Sequence, residues 1–185
     1  QRSYLDALTG ATPLEVLKYH GEDLPNLNDL LIGTTGGSLG EIGSLALLLG
    51  GVYLLLRKVI TWHIPVSILG TVFMFTFLVG WLNPVDFHAT SSANAFVDGL
   101  IFALFHLLSG GLLLGALFMA TDYVTSPMTT KGQLIFGVGI GVITVAIRLF
   151  GSYPEGISFA ILIMNALTPL INHYVKPTRF SPGRS

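Results

Sequence analysis

Five long apolar segments constrain this chain more than any other feature of its sequence. A helix needs about 20 mostly apolar residues to cross about 30 Å of hydrocarbon. The segments that approach or exceed that length are residues 41–60, 64–82, 96–120, 134–150 and 157–175. Because lipid offers no hydrogen bonds to an exposed backbone, such segments must form helices. The sequence therefore predicts an all-α integral membrane protein with about five transmembrane helices.

The composition agrees with this fold class and excludes several kinds of function. Charged residues make up 10% of the 185 residues, whereas a soluble domain carries about 25%. A net charge of −1 without a Lys/Arg-rich run gives no basic surface for nucleic acid. The absence of cysteine excludes disulfides, thiolate metal sites and cysteine nucleophiles. The sequence has no hydrolase motif, and its histidines form no i, i+4 pair for a haem.

Residues 1–40 are polar and glycine-rich, unlike the apolar remainder of the chain. They contain two short helical patterns, at 13–20 and 26–32, and are too charged to span a membrane. The glycine-rich run 33–40 lacks the Gly-Lys-Ser/Thr sequence of a phosphate-binding loop. We therefore expect two regions: a surface segment 1–40 that ends in a re-entrant or interfacial stretch, and a five-helix transmembrane region 41–185 with a C-terminal tail.

Basic residues indicate which side of the membrane each loop occupies, because short cytoplasmic loops are enriched in Lys and Arg. Six of the nine basic residues fall on one face of the predicted bundle: Arg57, Lys58, Lys131, Lys176, Arg179 and Arg184. That face, which also carries the C-terminus, is predicted to be cytoplasmic. The segment 1–40 is then predicted to be extracytoplasmic.

The stretch around Thr12 has two interpretations. Thr12, Pro13 and Glu15 form a capping box with proline at the first helical position, so the local pattern favours a helix N-cap. In the alternative, the Thr12 hydroxyl carries a flavin nucleotide through a phosphodiester, and the small Gly10 and Ala11 give room for a modifying enzyme and the isoalloxazine ring. A helix N-terminus stabilises a phosphate, so capping does not exclude attachment.

The residues from Asp6 to Thr12 match the Asp-x-x-(Ser/Thr)-Gly-Ala-(Ser/Thr) pattern read by the flavin transferase that attaches FMN to respiratory subunits. Other characteristic stretches are GSLGE at 37–41, WHIP at 62–65, ATDYVTSP at 120–127 and GSYPEG at 151–156. With these motifs the chain resembles RnfD, a membrane component of the Rnf ion-translocating electron transport complex. That family is close kin to NqrB of the sodium-pumping NADH:quinone reductase. The chain resembles the C-terminal half of a member, which implies half of a ten-helix bundle.

The resemblance implies that Thr12 carries covalent FMN on the extracytoplasmic side of a cell inner membrane. Asp6, Thr9, Gly10 and Ala11 would complete the attachment motif, with no catalytic residue and no metal ligand. The chain would be a membrane subunit of a ferredoxin:NAD oxidoreductase that relays electrons coupled to Na⁺ or H⁺ translocation. A non-covalent riboflavin is a further cofactor that the family may hold.

The implied partners are the other Rnf proteins RnfA, RnfB, RnfC, RnfE and RnfG, a flavin transferase for maturation, and membrane lipid. Two alternatives stay open beside this function. One is an NqrB-like protein of a sodium-pumping quinone reductase, and the other is a non-redox half of a channel or transporter, in which Thr12 is only a cap.

Ionisable residues inside apolar segments are further candidates, because they are costly in lipid and usually face a cavity or a partner. Glu41 and Asp98 lie near the ends of predicted spans and are expected at the extracytoplasmic interface. Arg148 is close enough to the end of its span for the side chain to reach water. His106 lies too deep for that, so its ring is expected to hydrogen-bond to another helix, with a cofactor contact as the alternative. Asp122 belongs to a polar cytoplasmic turn, where the alternative is a contact for a second flavin or a partner subunit.

Glycines recur along two of the predicted spans. They are Gly110, Gly111 and Gly115 in the third span and Gly137, Gly139 and Gly141 in the fourth. Small residues let helix backbones approach closely in a membrane. We interpret these glycines as helix-packing surfaces, and a flat cofactor beside them is the alternative.

Overall fold

The computed structural model describes residues 12–19, 27–33, 43–82 and 94–176. Within those ranges the regular structure is entirely helical, which confirms the predicted all-α class. The helices are α1 (Pro13–Tyr19), α2 (Leu27–Ile32), α3 (Ser44–Leu56), α4 (His63–Leu82), α5 (Ala95–Leu108), α6 (Leu112–Leu114, continued by a π-helical turn at Gly115–Met119), α7 (Thr130–Phe150) and α8 (Ile157–Tyr174). The two short helical patterns predicted before residue 40 correspond to α1 and α2.

Among the described helices, α4, α7 and α8 are long and apolar enough to cross a membrane. A fourth span is present if α5 and α6 with its π-helical turn count as one broken helix, bent by 65°. Helix α3, at the position of the first predicted span, is shorter, with 13 residues. It ends in a turn at Arg57 and Lys58, where Lys58 has a φ of 56°.

The third predicted span is broken in the middle. Helix α5 ends at Leu108, and Gly110 then has a φ of 72°, a conformation that glycine adopts without the steric cost of a side chain. The helix resumes at Leu112 and widens into the π-helical turn. Hydropathy did not reveal this break because apolar residues continue on both sides of Gly110. Composition alone does not show that a helix changes direction.

Helix α7 packs closely on both of its neighbours through glycines. A β-carbon at Gly141 would lie 2.7 Å from Cβ of Thr71, and one at Gly137 would overlap a serine side chain of α4. Gly139 faces α8, where a β-carbon would lie 2.6 Å from Cε of Met164. The helix-packing interpretation of these glycines is confirmed, since no side chain fits at the three positions without displacing a neighbour.

The short N-terminal helices lie against α5. Leu30 of α2 forms a buried cluster with Phe102 and Phe105, and Leu17 of α1 packs against that cluster. The main core lies where α4, α6, α7 and α8 meet, and includes Ile64, Ile68, Val72, Leu112, Ala116, Phe136, Ile140, Ile157 and Ala160. Helix α1 is thereby placed on α5.

Candidate functional site

The break after α5 leaves backbone carbonyls without helical partners, which is costly in an apolar environment. Arg148 of α7 fills part of this gap, because Nη1 donates to the His106 carbonyl at 2.5 Å and Nη2 donates to the Ser109 carbonyl at 3.2 Å. Oγ of Ser44, on α3, donates to the Leu108 carbonyl at 2.9 Å. Side chains of α3 and α7 therefore satisfy carbonyls at the end of α5.

Arg148 is only 5% exposed, so the prediction that its side chain reaches water was wrong. The broken helix lies beside α7 and offers carbonyls at the spacing of the guanidinium fork. A hydrogen bond to a charged group contributes about 1.5–3 kcal/mol, so two such bonds favour the buried position. The sequence did not show these acceptors because it did not show the break.

Lys18, in the last turn of α1, binds the C-terminal end of α7. Its Nζ donates to the carbonyls of Gly151, of Tyr153 at 3.0 Å and of Arg148 at 3.4 Å. A cation is favourable there because the last carbonyls of a helix carry partial negative charge. The sequence offers one signal of this anchoring role, a basic residue in the last turn of a short helix. Lys18 anchors α1, and with it Thr12, beside the end of α7.

Thr12 is half-buried at the start of α1. Its Oγ1 accepts a hydrogen bond from the backbone N–H of Glu15 at 3.3 Å, and its carbonyl accepts from Glu15 and Val16 at 2.9 and 3.0 Å. The predicted N-cap is therefore confirmed. The other predicted attachment residues, Asp6, Thr9, Gly10 and Ala11, lie outside the described residues, as does Glu41.

A cavity of about 220 Å³ lies between α1, α5 and the end of α7. Helix α1 contributes Leu14, Leu17 and Lys18 to its wall, and the rest of the wall comes from α5, from α7 and from Pro154 in the turn that follows. Most of these side chains are apolar. The polar ones are Lys18, Arg148 and His106, and the two cations already donate to backbone carbonyls.

His106 is the polar side chain of this wall that remains without a hydrogen bond. It is 2% exposed, and neither Nδ1 nor Nε2 has a partner in the described part of the chain. Its ring lies edge-on to Phe102, with 4.5 Å between the ring centroids. Buried polar groups are hydrogen-bonded in the large majority of cases. The expected bond from this ring to another helix is not found in the described ranges, and the cofactor contact stays an alternative.

The remaining predicted residues lie apart from this cavity. Asp98 is half-buried in the first turn of α5, and its interfacial position stays a prediction. Asp122 is exposed, and its carboxylate accepts a hydrogen bond from the Thr125 hydroxyl at 3.4 Å. The neighbouring Tyr123 hydroxyl donates to the Val59 carbonyl, just before α4 begins. Over the ranges that the structure describes, no group of three or more His, Asp or Glu side chains is placed to hold a metal ion.

The basic loops lie at one end of the helix bundle, and Thr12 lies at the other. Helices α4 and α7 run parallel, since Ile64 contacts Gly137 and Ile68 contacts Gly141. Both begin at the end that holds the basic residues Arg57, Lys58 and Lys131 and the 122–126 turn. Helix α1 with Thr12, and the cavity beside it, lie at the end where α7 finishes.

Comparison with known proteins identifies the family. Residues 2–181 match the NQR2, RnfD, RnfE family. The chain is 43% identical over 191 residues to the D subunit of the proton-translocating ferredoxin:NAD(+) oxidoreductase complex of Clostridium ljungdahlii. The aligned region covers 98% of this chain and 54% of that protein. It is 46% identical over 175 residues to the D subunit of the Na(+)-translocating ferredoxin:NAD(+) oxidoreductase complex of Acetobacterium woodii, with coverages of 92% and 48%.

A third relative is the D subunit of the ion-translocating oxidoreductase complex of Stutzerimonas stutzeri, 41% identical over 189 residues, which cover 95% of this chain and 49% of the relative. The chain therefore spans about half the length of the curated relatives that it matches. The family match extends over nearly all of its residues, and the relatives agree on one subunit of one type of complex. The chain thus belongs to the NQR2, RnfD, RnfE family.

Proposed function

We propose that this chain is part of a membrane subunit of an Rnf-type ferredoxin:NAD oxidoreductase and that it carries FMN as a phosphoester on Thr12. Family membership and the three relatives, each a D subunit, support the first part. One relative is named for protons and another for Na⁺, so their names do not select the ion. The proposed partners are the other Rnf proteins, RnfA, RnfB, RnfC, RnfE and RnfG.

The observation that carries the FMN proposal is the position of Thr12 on an anchored helix beside an apolar cavity. Its Oγ1 makes a long capping bond of 3.3 Å, at the weak end of N–H···O geometry. An ester oxygen retains lone pairs, so the bond from Glu15 can persist after attachment. Lys18 and the 3% exposed Leu14 hold α1 in place, which would fix the attachment point relative to α7.

Attachment requires an activated flavin nucleotide and the flavin transferase. Oγ1 of Thr12 would attack the flavin-side phosphorus of a flavin adenine dinucleotide, and the bond from that phosphorus to AMP would break. AMP leaves, the hydroxyl proton is released, and no electron moves in this step. Once bound, FMN supplies one- and two-electron transfer, and the protein supplies its position and its electrostatic environment.

The distribution of basic residues between the two ends of the bundle supports an orientation in the membrane. Arg57, Lys58 and Lys131 lie at the end opposite to Thr12, and short basic loops favour the cytoplasm. We therefore place Thr12 on the extracytoplasmic side of the cell inner membrane and the C-terminus on the cytoplasmic side. Electrons would then pass between this FMN and a neighbouring redox subunit at the outer surface.

The break between α5 and α6 gives little support to the non-redox transporter alternative. In transporters, broken helices present free carbonyls and helix ends to the ion. Here the carbonyls of His106, Leu108 and Ser109 each accept a hydrogen bond from a side chain of another helix. Each of these carbonyls therefore already has a protein donor, and the break does not by itself favour an ion site.

In-gel flavin fluorescence tests the attachment. The complex would be produced with an active flavin transferase, as wild type, as Thr12→Val and as the control Thr130→Val, which changes an exposed threonine at the start of α7. We expect fluorescence that survives denaturation in the wild type and the control and is lost in Thr12→Val. Mass spectrometry of the peptide that contains Thr12 would then show the added FMN. Fluorescence that persists in Thr12→Val, or a wild type without fluorescence, would contradict the proposal.

A further inference from the structure

The cavity beside α1 presents one hydrogen-bonding group that nothing in the described chain uses. His106 is 2% exposed and both of its ring nitrogens lack a partner within those ranges. A neutral imidazole has one donor and one acceptor nitrogen. Around it the wall is formed by Leu14, Leu17, Phe102, Leu149 and Pro154. An unsatisfied buried polar group is destabilising, so a ligand that bonds to this ring would relieve that cost.

The cavity fits a flat, mostly apolar ring with a hydrogen-bonding edge. Its volume of about 220 Å³ is below the roughly 300–1,000 Å³ of pockets that hold complete small molecules. It would therefore hold a ring system whose remaining atoms lie outside. The isoalloxazine of a flavin has this chemistry, because its dimethylbenzene edge is apolar and its pyrimidine edge carries carbonyl acceptors and an N–H donor.

Thr12 is close to this cavity along the chain. Leu14 contributes to the wall, and consecutive Cα atoms are 3.8 Å apart, so Cα of Leu14 lies within about 7.6 Å of Cα of Thr12. Lys18, in the same short helix, also lines the cavity while it binds the end of α7. The ribityl phosphate chain of an FMN on Thr12 would thus begin within two residues of the cavity wall.

We propose that the isoalloxazine of the FMN on Thr12 occupies this cavity and that the His106 ring donates a hydrogen bond to its pyrimidine edge. This inference rests on the covalent attachment proposed above. His106 would be a positioning residue that also adjusts the reduction potential of the ring. A donor at the carbonyl edge stabilises the electron-richer, reduced ring, so it raises the potential.

Redox titration of the purified complex tests this assignment. His106→Leu keeps an apolar side chain in the cavity and removes the donor, whereas His106→Gln retains one, and His173→Leu makes the same change at an exposed site on α8. We expect His106→Leu to carry as much covalent flavin as wild type. The equilibrium constant for reduction of that flavin should be at least tenfold lower than in wild type. For a two-electron couple that corresponds to about 30 mV. His106→Gln should recover most of the shift, and His173→Leu should show none.

The outcomes separate this inference from the proposed attachment. A wild type without covalent flavin would remove the proposed attachment and this inference together. Full covalent loading with an unchanged potential in His106→Leu would overturn the inference alone. If Thr12→Val still holds a flavin that denaturation releases and whose potential depends on His106, a free flavin occupies the cavity and the inference fails.

A measurement on the wild type keeps the test decisive if His106→Leu does not assemble. Iodide quenches the fluorescence of an exposed flavin on collision. A ring inside the cavity should be quenched several-fold less than free FMN in the same buffer. Quenching equal to that of free FMN would place the ring outside the cavity and overturn the assignment.

Discussion

Arg148 and Lys18 each use a cation to complete hydrogen bonds at the end of a helix. Arg148 serves the end of α5 and Lys18 serves the end of α7. The sequence marks Arg148 as a costly residue in lipid, but it does not reveal the partner, because the acceptors exist only where α5 breaks. The capping role of Thr12 was predictable, since a capping box is a local pattern. His106 was singled out for its depth, yet the absence of a partner for its ring within the described ranges is visible only in three dimensions.

Replacement of Arg148 should destabilise the protein strongly. Arg148→Met keeps most of the side-chain volume and leaves two buried carbonyls without donors, each at about 1–3 kcal/mol, so we expect a loss of about 2–6 kcal/mol. Arg148→Lys should fall between Met and wild type, because one ammonium cannot match the fork geometry of a guanidinium. Thermal unfolding of the purified complex measures this, with the exposed Lys131→Met as control. Equal stability of Arg148→Met and wild type would show that the two hydrogen bonds do not stabilise the fold.

Removal of the Lys18 charge should loosen α1 without unfolding the bundle. A cation at a helix C-terminus contributes about 0.3–1 kcal/mol, so amide hydrogen exchange in 13–19 should become about two- to fivefold faster in Lys18→Met. Exchange in the middle of α7 should not change. Mass spectrometry of protease fragments measures both regions in one experiment, with Lys131→Met as the matched control. Unchanged exchange in α1 would mean that Leu14 and Leu17 hold this helix without Lys18.

The elements show where hydropathy predicts a fold well and where it does not. The second, fourth and fifth predicted spans, 64–82, 134–150 and 157–175, agree closely with α4, α7 and α8, because a long apolar run in lipid has no alternative to a helix. The third, 96–120, is a broken helix. Its break depends on the positive φ of Gly110 and on donors supplied by α3 and α7, which are tertiary features that an apolar run cannot encode.

The packing of α4 on α7 should be sensitive to a side chain at Gly141, one of the two α7 glycines that face α4. A β-carbon at Gly141 would lie 2.7 Å from Cβ of Thr71 and 3.2 Å from the Ile68 carbonyl oxygen, and a backbone atom cannot move aside easily. We therefore expect Gly141→Ala to cost about 1–3 kcal/mol, as overpacking does. Gly70→Ala is the matched control, because a β-carbon there meets nothing within 4 Å and alanine favours the helix by up to about 1 kcal/mol. Thermal unfolding should separate the two variants, and a Gly141→Ala protein as stable as Gly70→Ala would contradict this account of the contact.

At the scale of the whole molecule, one chain of contacts connects the Thr12 helix to the broken span. Lys18 binds the end of α7, Arg148 of α7 binds the break after α5, and both side chains line the cavity together with His106. The sequence predicted the class of fold, the family resemblance and the two ends of the bundle, since these depend on composition, motifs and loop charge. It placed Thr12 and Arg148 on the same side of the membrane, but it did not predict that α1, His106 and Arg148 line one cavity, because their separation along the chain hides a contact made by helix packing.

The arrangement of the two ends predicts a definite orientation in the membrane. The 185 residues contain no cysteine, so one introduced cysteine is a unique label within them. Tyr153→Cys lies beside the Lys18 anchor at the Thr12 end, and Val124→Cys lies in the turn at the opposite end; their native side chains are 64% and 89% exposed. In right-side-out vesicles a membrane-impermeant maleimide should label Tyr153→Cys and leave Val124→Cys unlabelled, and inverted vesicles should give the reverse. Membranes with the wild-type protein supply the background. Because basic loops favour the cytoplasm, the opposite labelling pattern would place Thr12 on the cytoplasmic side and move the proposed flavin to that surface.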